Sequence, residues 1–326
     1  MPSLKDKLRH NKFIAKAIKT RDKLRSRQSY KSDYKSYANY NGKVASGGKY
    51  YAILLHCHVL EKGMSHESPR KFGNKHTDII IHLLPDVEAD SFEAKYAIET
   101  LNNYLRVYET HGWTDDDNYR IVKNYLDSNN LLAVQEPSTI YEVYSQIKKK
   151  NSIDYYSFLK SRHSIRDYAS KKISDDDYKK AVSMALLTPS ACNRQMNKVY
   201  YVKSAAKREY LIAKIQGISG IDKSTVNLFV ITYDQSALLG AHERNQGFLN
   251  SGLFAMNFVN GLHSLGIGSC LLQCGNPDRE QTEIIAELGI PANERIAVFV
   301  AAGYYTERVK YLRSKRKDVD EIQKYL

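Results

Sequence analysis

The chain has 326 residues, long enough for two domains, and 42% of them are hydrophobic, which suffices for a substantial core. There is no run of eighteen apolar residues, and the first thirty residues are charged throughout, so neither a membrane span nor a signal peptide is predicted. A cytoplasmic protein is therefore expected. The four cysteines form no CxxC pair and are expected to be free thiols: Cys57, Cys192, Cys270 and Cys274.

The net charge of +13 is concentrated in a basic N-terminal arm, residues 1–48. Residues 1–50 contain fourteen Lys and Arg against three Asp, a net +11 that leaves +2 for the rest of the chain. Such an arm could contact nucleic acid, an anionic membrane surface or an acidic partner. Charge runs are more often solvated helix faces. We expect no nucleic-acid partner and keep peripheral membrane contact or an acidic partner as alternatives to a solvated tail.

Helical patterns dominate the first half of the chain. A helix is predicted within residues 4–27, and "NGKVASGG" at 41–48 marks a flexible break. Residues 49–150 are then interpreted as a small helical region with helices at 51–61, 90–109 and 114–129.

A cluster of potential metal ligands lies near the start of this helical region: His56, Cys57, His58, Glu61 and His66. Metal ligands on one helix need a spacing of three or four residues, because adjacent side chains point in different directions. Cys57 and Glu61 have that spacing. No metal site is predicted, since helix polarity and a capped turn explain the same residues.

Residues 151–326 have the pattern of an α+β domain. Ser174 is a good N-cap for a helix at 175–187, and strands are predicted at 198–204, 225–234, 268–273 and 295–305. The segment 246–264 is apolar on nearly every side, which predicts a helix buried either within its own domain or against a second subunit.

The stretch "SRHSIRDY" at 161–168 is the best candidate for a ligand site. The chain has no P-loop, no strand-bound GxGxxG and no GxSxG elbow, and an adjacent Ser and His do not make a triad. Arg162, His163 and Ser164 together offer donors suited to one phosphate monoester. Near the C-terminal end, Arg313, Lys315 and Arg316 could bind the same anion. Alternatively, the basic residues of both segments could be surface charges.

Five motifs resemble the FMN-dependent nitroreductase family in order and spacing, over about residues 155–322. They are "SRHSIRDY", "LLTPSACNRQ", "KVYYV", "GLHSLGIGSCLL" and "LGIPANERIAVFVAAGYY". The resemblance implies an α/β/α sandwich with a mainly antiparallel sheet of four to five strands, preceded by the small helical region. It also implies a homodimer with FMN at the subunit interface. The stretch "HVLEKGMSHESPRKFG" is similar to leader regions of nitroreductase-like proteins linked to surface-polysaccharide synthesis.

The resemblance also implies roles for individual residues. Arg162, His163 and Ser164 fall on phosphate and ribityl contacts, and Arg166 falls near the polar edge of the flavin ring. A loop that reaches the flavin, usually from the partner subunit, would comprise Pro189, Ser190, Asn193 and Gln195. The remaining implied contacts are Gln216 at the pyrimidine edge, the strand residues Leu271, Leu272 and Gln273, and Arg313 with Arg316 at the phosphate.

The implied reaction passes a hydride from NAD(P)H through the flavin to a small organic acceptor, so no catalytic acid or base is predicted. Met196 and Asn197 replace the usual proline and aromatic residue, and they are expected at the edge of the substrate pocket. Two alternatives stay open. One is a flavin enzyme that oxidises or cleaves a metabolite without NAD(P)H, and the other is a non-enzymatic scaffold of a polysaccharide assembly system.

Overall fold

The computed structural model describes residues 12–40, 47–65, 70–133, 143, 145–147, 153–312, 314 and 316–326. The helices are α1 Lys12–Tyr40, α2 Gly48–Met64, α3 Asn74–Leu83, α4 Phe92–Thr110, α5 Asp117–Ser128, α6 Tyr155–Ser161, α7 Asp175–Leu186, α8 Ala205–Lys214, α9 Gln246–Ser264, α10 Asp278–Leu288 and α11 Val319–Ile322. The strands are β1 Asn197–Tyr201, β2 Asn227–Asp234, β3 Ile267–Gln273 and β4 Glu294–Tyr304.

The four strands form one antiparallel sheet in the order β1-β2-β4-β3. Every residue of β2 is buried, as expected for a central strand covered on both faces. Alternate residues face opposite layers: Leu228 and Val230 pack with α8 and α10, whereas Phe229 and Ile231 pack with α7 and α9. The predicted α/β/α sandwich with an antiparallel sheet is confirmed.

Two glycines allow the "SIRDY" segment to lie directly on the sheet. Gly268 and Gly303 are paired between β3 and β4. A methyl carbon built on Gly268 would lie 2.9 Å from Cβ of Ile165, and one on Gly303 would lie 2.5 Å from Cβ of Tyr168. Because real Cβ contacts are longer, a side chain at either position would displace the segment that carries Arg162 to Arg166.

The N-terminal helices have a core of their own, in which α2, α3, α4 and α5 contribute the buried apolar residues. Ser91 caps α4 and Asp116 caps α5. Helix α3 was not predicted, and neither were α8 and α10. Among the described residues, no helix is both long and apolar enough to cross a bilayer.

Helix α1 extends to Tyr40, well beyond the predicted end at residue 27, because its last turns are packed against the sheet domain. Asp33 pairs with Arg295 at 2.7 Å, and Ser36 hydrogen-bonds Gln235 at 3.1 Å. These tertiary contacts override a sequence with little helical periodicity.

The apolar helix α9 is buried on one side only. Phe254, Phe258 and Leu262 belong to the core beneath the sheet. Its other side exposes four large apolar side chains, between 36% and 58%: Phe248, Leu249, Leu253 and Met256. The sequence predicted that this helix is buried either within its own domain or against a second subunit. Burial within its own domain accounts for only one side of the helix.

Candidate functional site

A cavity of about 340 Å³ lies at the entry to the sheet domain, beside the end of α6. Lys160, Arg162 and Arg316 supply three basic side chains to its walls, and no carboxylate lines it among the described residues. His163 and Ser164 line the same cavity. The structure therefore brings the predicted triplet of residues 162–164 together with the C-terminal Arg316 in a setting suited to a phosphate.

The C-terminal segment reaches this cavity by running beside the triplet. Ile165 forms an antiparallel bridge with Tyr311, and a parallel bridge joins Ser164 to Ser269 of β3. The rings of His163 and Tyr311 stack with centroids 3.8 Å apart and an interplanar angle of 8°. This pairing places Leu312, Ser314 and Arg316 against the cavity. Arg313 and Lys315, predicted to contribute, lie outside the described residues.

A hydrogen-bonded chain anchors the end of α6 below the cavity. Ser161 Oγ donates to the Phe158 carbonyl oxygen at 2.8 Å and lies 2.8 Å from Nε2 of His263. Since Ser161 uses its proton on Phe158, His263 is the donor, and Tyr305 donates to Nδ1 of His263 at 2.8 Å. Burial, with the nearby Arg162 and His163, lowers the pKa of His263. Ser161 is therefore held in place and not activated as a nucleophile.

Arg166 connects the triplet to a second group of predicted residues. Its guanidinium donates to the Ser164 carbonyl oxygen at 3.4 Å, and its Cδ lies beside Gly220. Below it, burial raises the pKa of the Cys270 thiol, and the adjacent Arg166, Ser164 and Arg162 oppose that rise. Arg166 thus lies between the cavity and the loop that follows α8.

Gln216 and Gln273 meet around Gly275 at the far side of this surface. Gln216 donates to the Gly275 carbonyl oxygen at 3.2 Å, and both glutamines are exposed. Leu271 is 42% exposed, whereas Leu272 is buried in the core with α8 and α10. Leu272 can therefore offer a ligand only its backbone groups.

The loop at 189–195 is held in an unfavourable backbone conformation. Cys192, Asn193 and Gln195 have φ values of 52°, 51° and 49°, in the left-handed region that residues other than glycine seldom adopt. Ser190 Oγ accepts a hydrogen bond from the Gln195 amide at 3.0 Å, whereas Pro189 is exposed. Backbone outliers of this kind cluster at functional sites. None of these residues lines the cavity beside α6.

Arg194, in the middle of this loop, is a structural anchor that sequence reasoning missed. Its side chain is fully buried and pairs with both carboxylate oxygens of Glu243 at 2.8 and 2.9 Å. It also donates to the carbonyl oxygens of Ala191 and Ala237. In the sequence, an Arg between Asn and Gln gives no signal of burial, and its partner lies 49 residues away.

Met196 does not lie at the edge of an open pocket, contrary to the sequence interpretation. It is fully buried and packs with Tyr233, Tyr37 of α1 and Tyr51 of α2. Asn197 is tied down in β1, donating to Ser251 Oγ at 2.7 Å. The N-terminal helices therefore cover this part of the domain.

His56 of α2 pairs with His76 of α3. His56 Nδ1 lies 2.8 Å from His76 Nδ1, and burial followed by His76 lowers the pKa of His56 to about 4. His58 Nδ1 lies 4.0 Å from the Glu61 carboxylate. Across the described part of the chain, which does not include His66, no three potential ligands converge.

Comparison with known proteins assigns the sheet domain. Residues 159–241 and 219–304 match the sequence model of the Nitroreductase family. The matched residues, 159–304, are a little under half of the chain, and the match supports a flavin-dependent oxidoreductase in general. No match was found among curated proteins.

Solved structures of the same kind are similar over about half of the chain. The nitroreductase family protein of Streptococcus pneumoniae is 23% identical with a TM-score of 0.47, covering 53% of this chain and 100% of that one. The FMN-dependent nitroreductase of Clostridium difficile is 23% identical with a TM-score of 0.44, covering 52% and 97%. A Desulfovibrio desulfuricans protein in complex with FMN is 17% identical with a TM-score of 0.45, covering 53% and 96%.

Proposed function

We propose that the sheet domain binds FMN and that the protein is an FMN-dependent oxidoreductase, passing a hydride from NAD(P)H to a small organic acceptor. The cavity lined by Lys160, Arg162 and Arg316, to which no described residue contributes a carboxylate, carries this proposal. Its charges fit a phosphate dianion, and the Ser164 hydroxyl and the His163 ring add further hydrogen-bond donors. When bound, the flavin would supply the hydride chemistry.

The protein's own part in this reaction is to bind and orient the ligands. Arg162 and Arg316 would hold the phosphate, and Arg166, lying farther along the same surface, would favour negative charge at the polar edge of the ring. Gln216 and Gln273 are amides suited to the pyrimidine edge. No side chain is required to act as acid or base in this proposal.

A first experiment tests FMN binding. Purified protein should be yellow, or should become so on addition of FMN, and NADH or NADPH should bleach the visible band. Arg162→Ala should raise the Kd for FMN about tenfold or more, because the loss of one charge-assisted hydrogen bond weakens binding by about that factor. The circular dichroism spectrum should be unchanged. Arg279→Ala is the matched control, because Arg279 is 92% exposed and lies on α10. Colourless protein that takes up no FMN refutes the proposal.

NAD(P)H as the hydride source is tested separately by stopped-flow reduction of the flavin. Rapid bleaching supports the reductase. A bound flavin that neither nicotinamide reduces would favour the alternative in which a metabolite is oxidised or cleaved. A role in surface-polysaccharide metabolism rests on the resemblance of the 58–73 stretch alone and stays a prediction.

We further propose that two chains complete the site as a homodimer. The loop at 189–195 and the cavity beside α6 are separate in one chain, and the exposed apolar face of α9 offers a surface for a second. Leu253→Glu should yield a monomer that loses FMN. Ile121→Glu, at an exposed position on α5, should do neither. A wild-type monomer in sedimentation experiments that nevertheless retains FMN would refute the shared site.

A second candidate function is attachment of the enzyme to an anionic membrane surface through α1. Residues 12–31 carry eight basic residues against one acidic residue. Leu24 is 59% exposed, and it lines a groove on α1 with Ala17, flanked by Lys16, Arg21 and Arg25. Basic side chains beside exposed apolar groups suit the interface of a bilayer containing anionic lipid.

Vesicle sedimentation tests this attachment. Vesicles with anionic phosphatidylserine should bind the protein at low salt, and neutral phosphatidylcholine vesicles should not. Lys16→Glu combined with Arg21→Glu and Arg25→Glu should abolish binding, whereas Arg279→Glu on α10 should not. Equal binding to both kinds of vesicle, or preference for an RNA oligonucleotide, would contradict the proposal.

A further inference from the structure

The N-terminal helices are joined to the sheet domain at the end of β2, close to the strained loop at 189–195. The Tyr51 hydroxyl of α2 donates to Oδ2 of Asp234, the last residue of β2, at 3.0 Å. Helices α1 and α2 both contact the turn that follows, Gln235–Ala237. Tyr51 lies outside residues 159–304, the part of the chain that matches the family, whereas Asp234 lies within it. Asp234 thus hydrogen-bonds a side chain that comes from outside the matched region.

The Asp234 carboxylate is buried and depends on hydrogen-bond donors, because its residue is only 6% exposed. Its Oδ1 accepts hydrogen bonds from the Ser236 amide at 2.9 Å and from the Ser236 hydroxyl. Tyr51 supplies the donor to Oδ2. Burial, and then the Asp234 carboxylate, raise the pKa of Tyr51, so the phenol keeps its proton for this hydrogen bond. Tyr51 therefore helps to fix both the charge and the orientation of this carboxylate.

Asp234 in turn holds the two residues on either side of Gln195. Its backbone amide donates to the carbonyl oxygen of Met196 at 3.0 Å. Its carboxylate caps the turn that ends at Ala237, and the Ala237 carbonyl oxygen accepts a hydrogen bond from the Arg194 guanidinium. One residue therefore contributes to both attachments of the loop.

The loop between these attachments needs such support because its backbone is strained. Cys192, Asn193 and Gln195 all have left-handed φ values. Conformations of this kind persist only where the surrounding structure holds them in place. Loss of the Tyr51 hydroxyl would leave the Asp234 carboxylate with donors from a single residue, so the turn and the loop would be held less firmly.

We propose that Tyr51 is a positioning residue of the flavin site, which acts through Asp234 to hold the loop at 189–195 in the shape that contacts bound FMN. This inference rests on the proposed FMN site. It gives the helical N-terminal region a role in flavin binding that requires no contact between Tyr51 and the flavin.

The first test removes the hydroxyl and keeps the ring. Tyr51→Phe should raise the Kd for FMN about threefold or more, as expected if the loop keeps its binding shape in no more than about a third of the molecules. It should also alter the visible absorption band of the bound flavin. Tyr119→Phe is the matched control, because Tyr119 of α5 donates to the Glu109 carboxylate of α4 at 2.8 Å within the same helical region. The control should change neither quantity.

A double-variant comparison tests whether Tyr51 acts through Asp234. Asp234→Asn keeps the shape of the side chain but removes its charge, and it should raise the Kd for FMN as well. Because both substitutions weaken one contact, adding Tyr51→Phe to Asp234→Asn should change the Kd less than it does in the wild type. Equal factors in the two backgrounds would overturn the proposed route through Asp234.

A second measurement uses FMN-free protein. The amides of Asn193, Arg194 and Gln195 are hydrogen-bonded within the loop, and they should exchange with deuterium faster in Tyr51→Phe than in the wild type and in Tyr119→Phe. Wild-type protein that binds no FMN would overturn both this inference and the proposed function. Wild-type protein that binds FMN, with a Tyr51→Phe variant that matches it in Kd and spectrum, would overturn the positioning role alone, whether or not exchange is faster.

Discussion

Replacing Glu243 by Gln should destabilise the protein and loosen the loop at 189–195. Glu243 lies across from the fully buried Arg194 guanidinium, and its carboxylate accepts two hydrogen bonds from it. Glutamine has a similar shape, retains one oxygen acceptor and removes the negative charge. The guanidinium would then remain buried without a charged partner.

The expected loss follows from the burial of the two groups. Removing one partner of a buried ion pair costs about 3 to 5 kcal/mol. The Glu243 side chain keeps 18% exposure and glutamine still accepts one bond, so we expect about 2 to 3 kcal/mol. Arg194→Met should cost less, because Glu243 is partly hydrated and still accepts from the Leu239 amide at 2.8 Å. The double variant should be more stable than the sum of the single effects, with a coupling of about 1 kcal/mol or more.

Chemical denaturation followed by circular dichroism measures these free energies of unfolding, and FMN titration measures the effect on the loop. Burial alone would raise the pKa of Glu243, but the hydrogen bonds from Arg194 and Leu239 outweigh it and the pKa is lowered. The pair therefore stabilises the protein above the ordinary pKa of 4.5, and this contribution is lost as the pH falls through the lowered value. Strictly additive single variants, or Glu243→Gln within about 0.5 kcal/mol of wild type, would refute this reasoning.

Two further predictions concern the sheet and the histidine pair. Gly303→Ala should destabilise the domain by about 2 kcal/mol and weaken FMN binding, because its methyl group would lie 2.5 Å from Tyr168 Cβ. Gly252→Ala in α9 is the control for unfolding, because no atom of the described residues would lie within 4 Å of its methyl group. The folded state lowers the pKa of His56 to about 4 and also lowers that of His76, so stability should be complete above about pH 6.5 and decline toward pH 4. His56→Gln should make the free energy of unfolding, measured by urea titration, depend less on pH between about 6.5 and 4. The same pH dependence in the variant and the wild type would contradict this prediction.

The sheet could be predicted from the sequence because its strands are local and strongly apolar. The run at 225–234 starts two residues before β2 and ends with it, and the run at 295–305 is shifted from β4 by one residue. Ser174 marked the start of α7 correctly through its capping side chain. The helices α3, α8 and α10 escaped prediction since they are short, and only one or two residues of each are buried. A short helix shows its apolar periodicity over few turns, and packing on neighbouring elements stabilises it.

The candidate site could be predicted only in part, for a different reason. The grouping of Arg162, His163 and Ser164 is local, so the sequence displays it. The arrival of Arg316 depends on Tyr311 pairing with Ile165, a contact across most of the domain. The burial of Met196 depends on two tyrosines from the N-terminal helices. Contacts between distant segments leave no periodicity in a single sequence, and this is where the interpretation of Met196 was wrong.

Backbone strain and buried charge occur together in the loop at 189–195, and the combination indicates what the loop is for. Each left-handed residue at Cys192, Asn193 and Gln195 disfavours the folded state by roughly 1 kcal/mol. A connection with only a structural role would reach β1 through glycines or a relaxed turn. This chain instead supports the strained shape from two directions, with Arg194 anchored inside the domain and helix α2 packed against the turn Ala191–Asn193. A shape maintained against its own backbone preference by a region outside the family match is best explained by a ligand that the loop must contact.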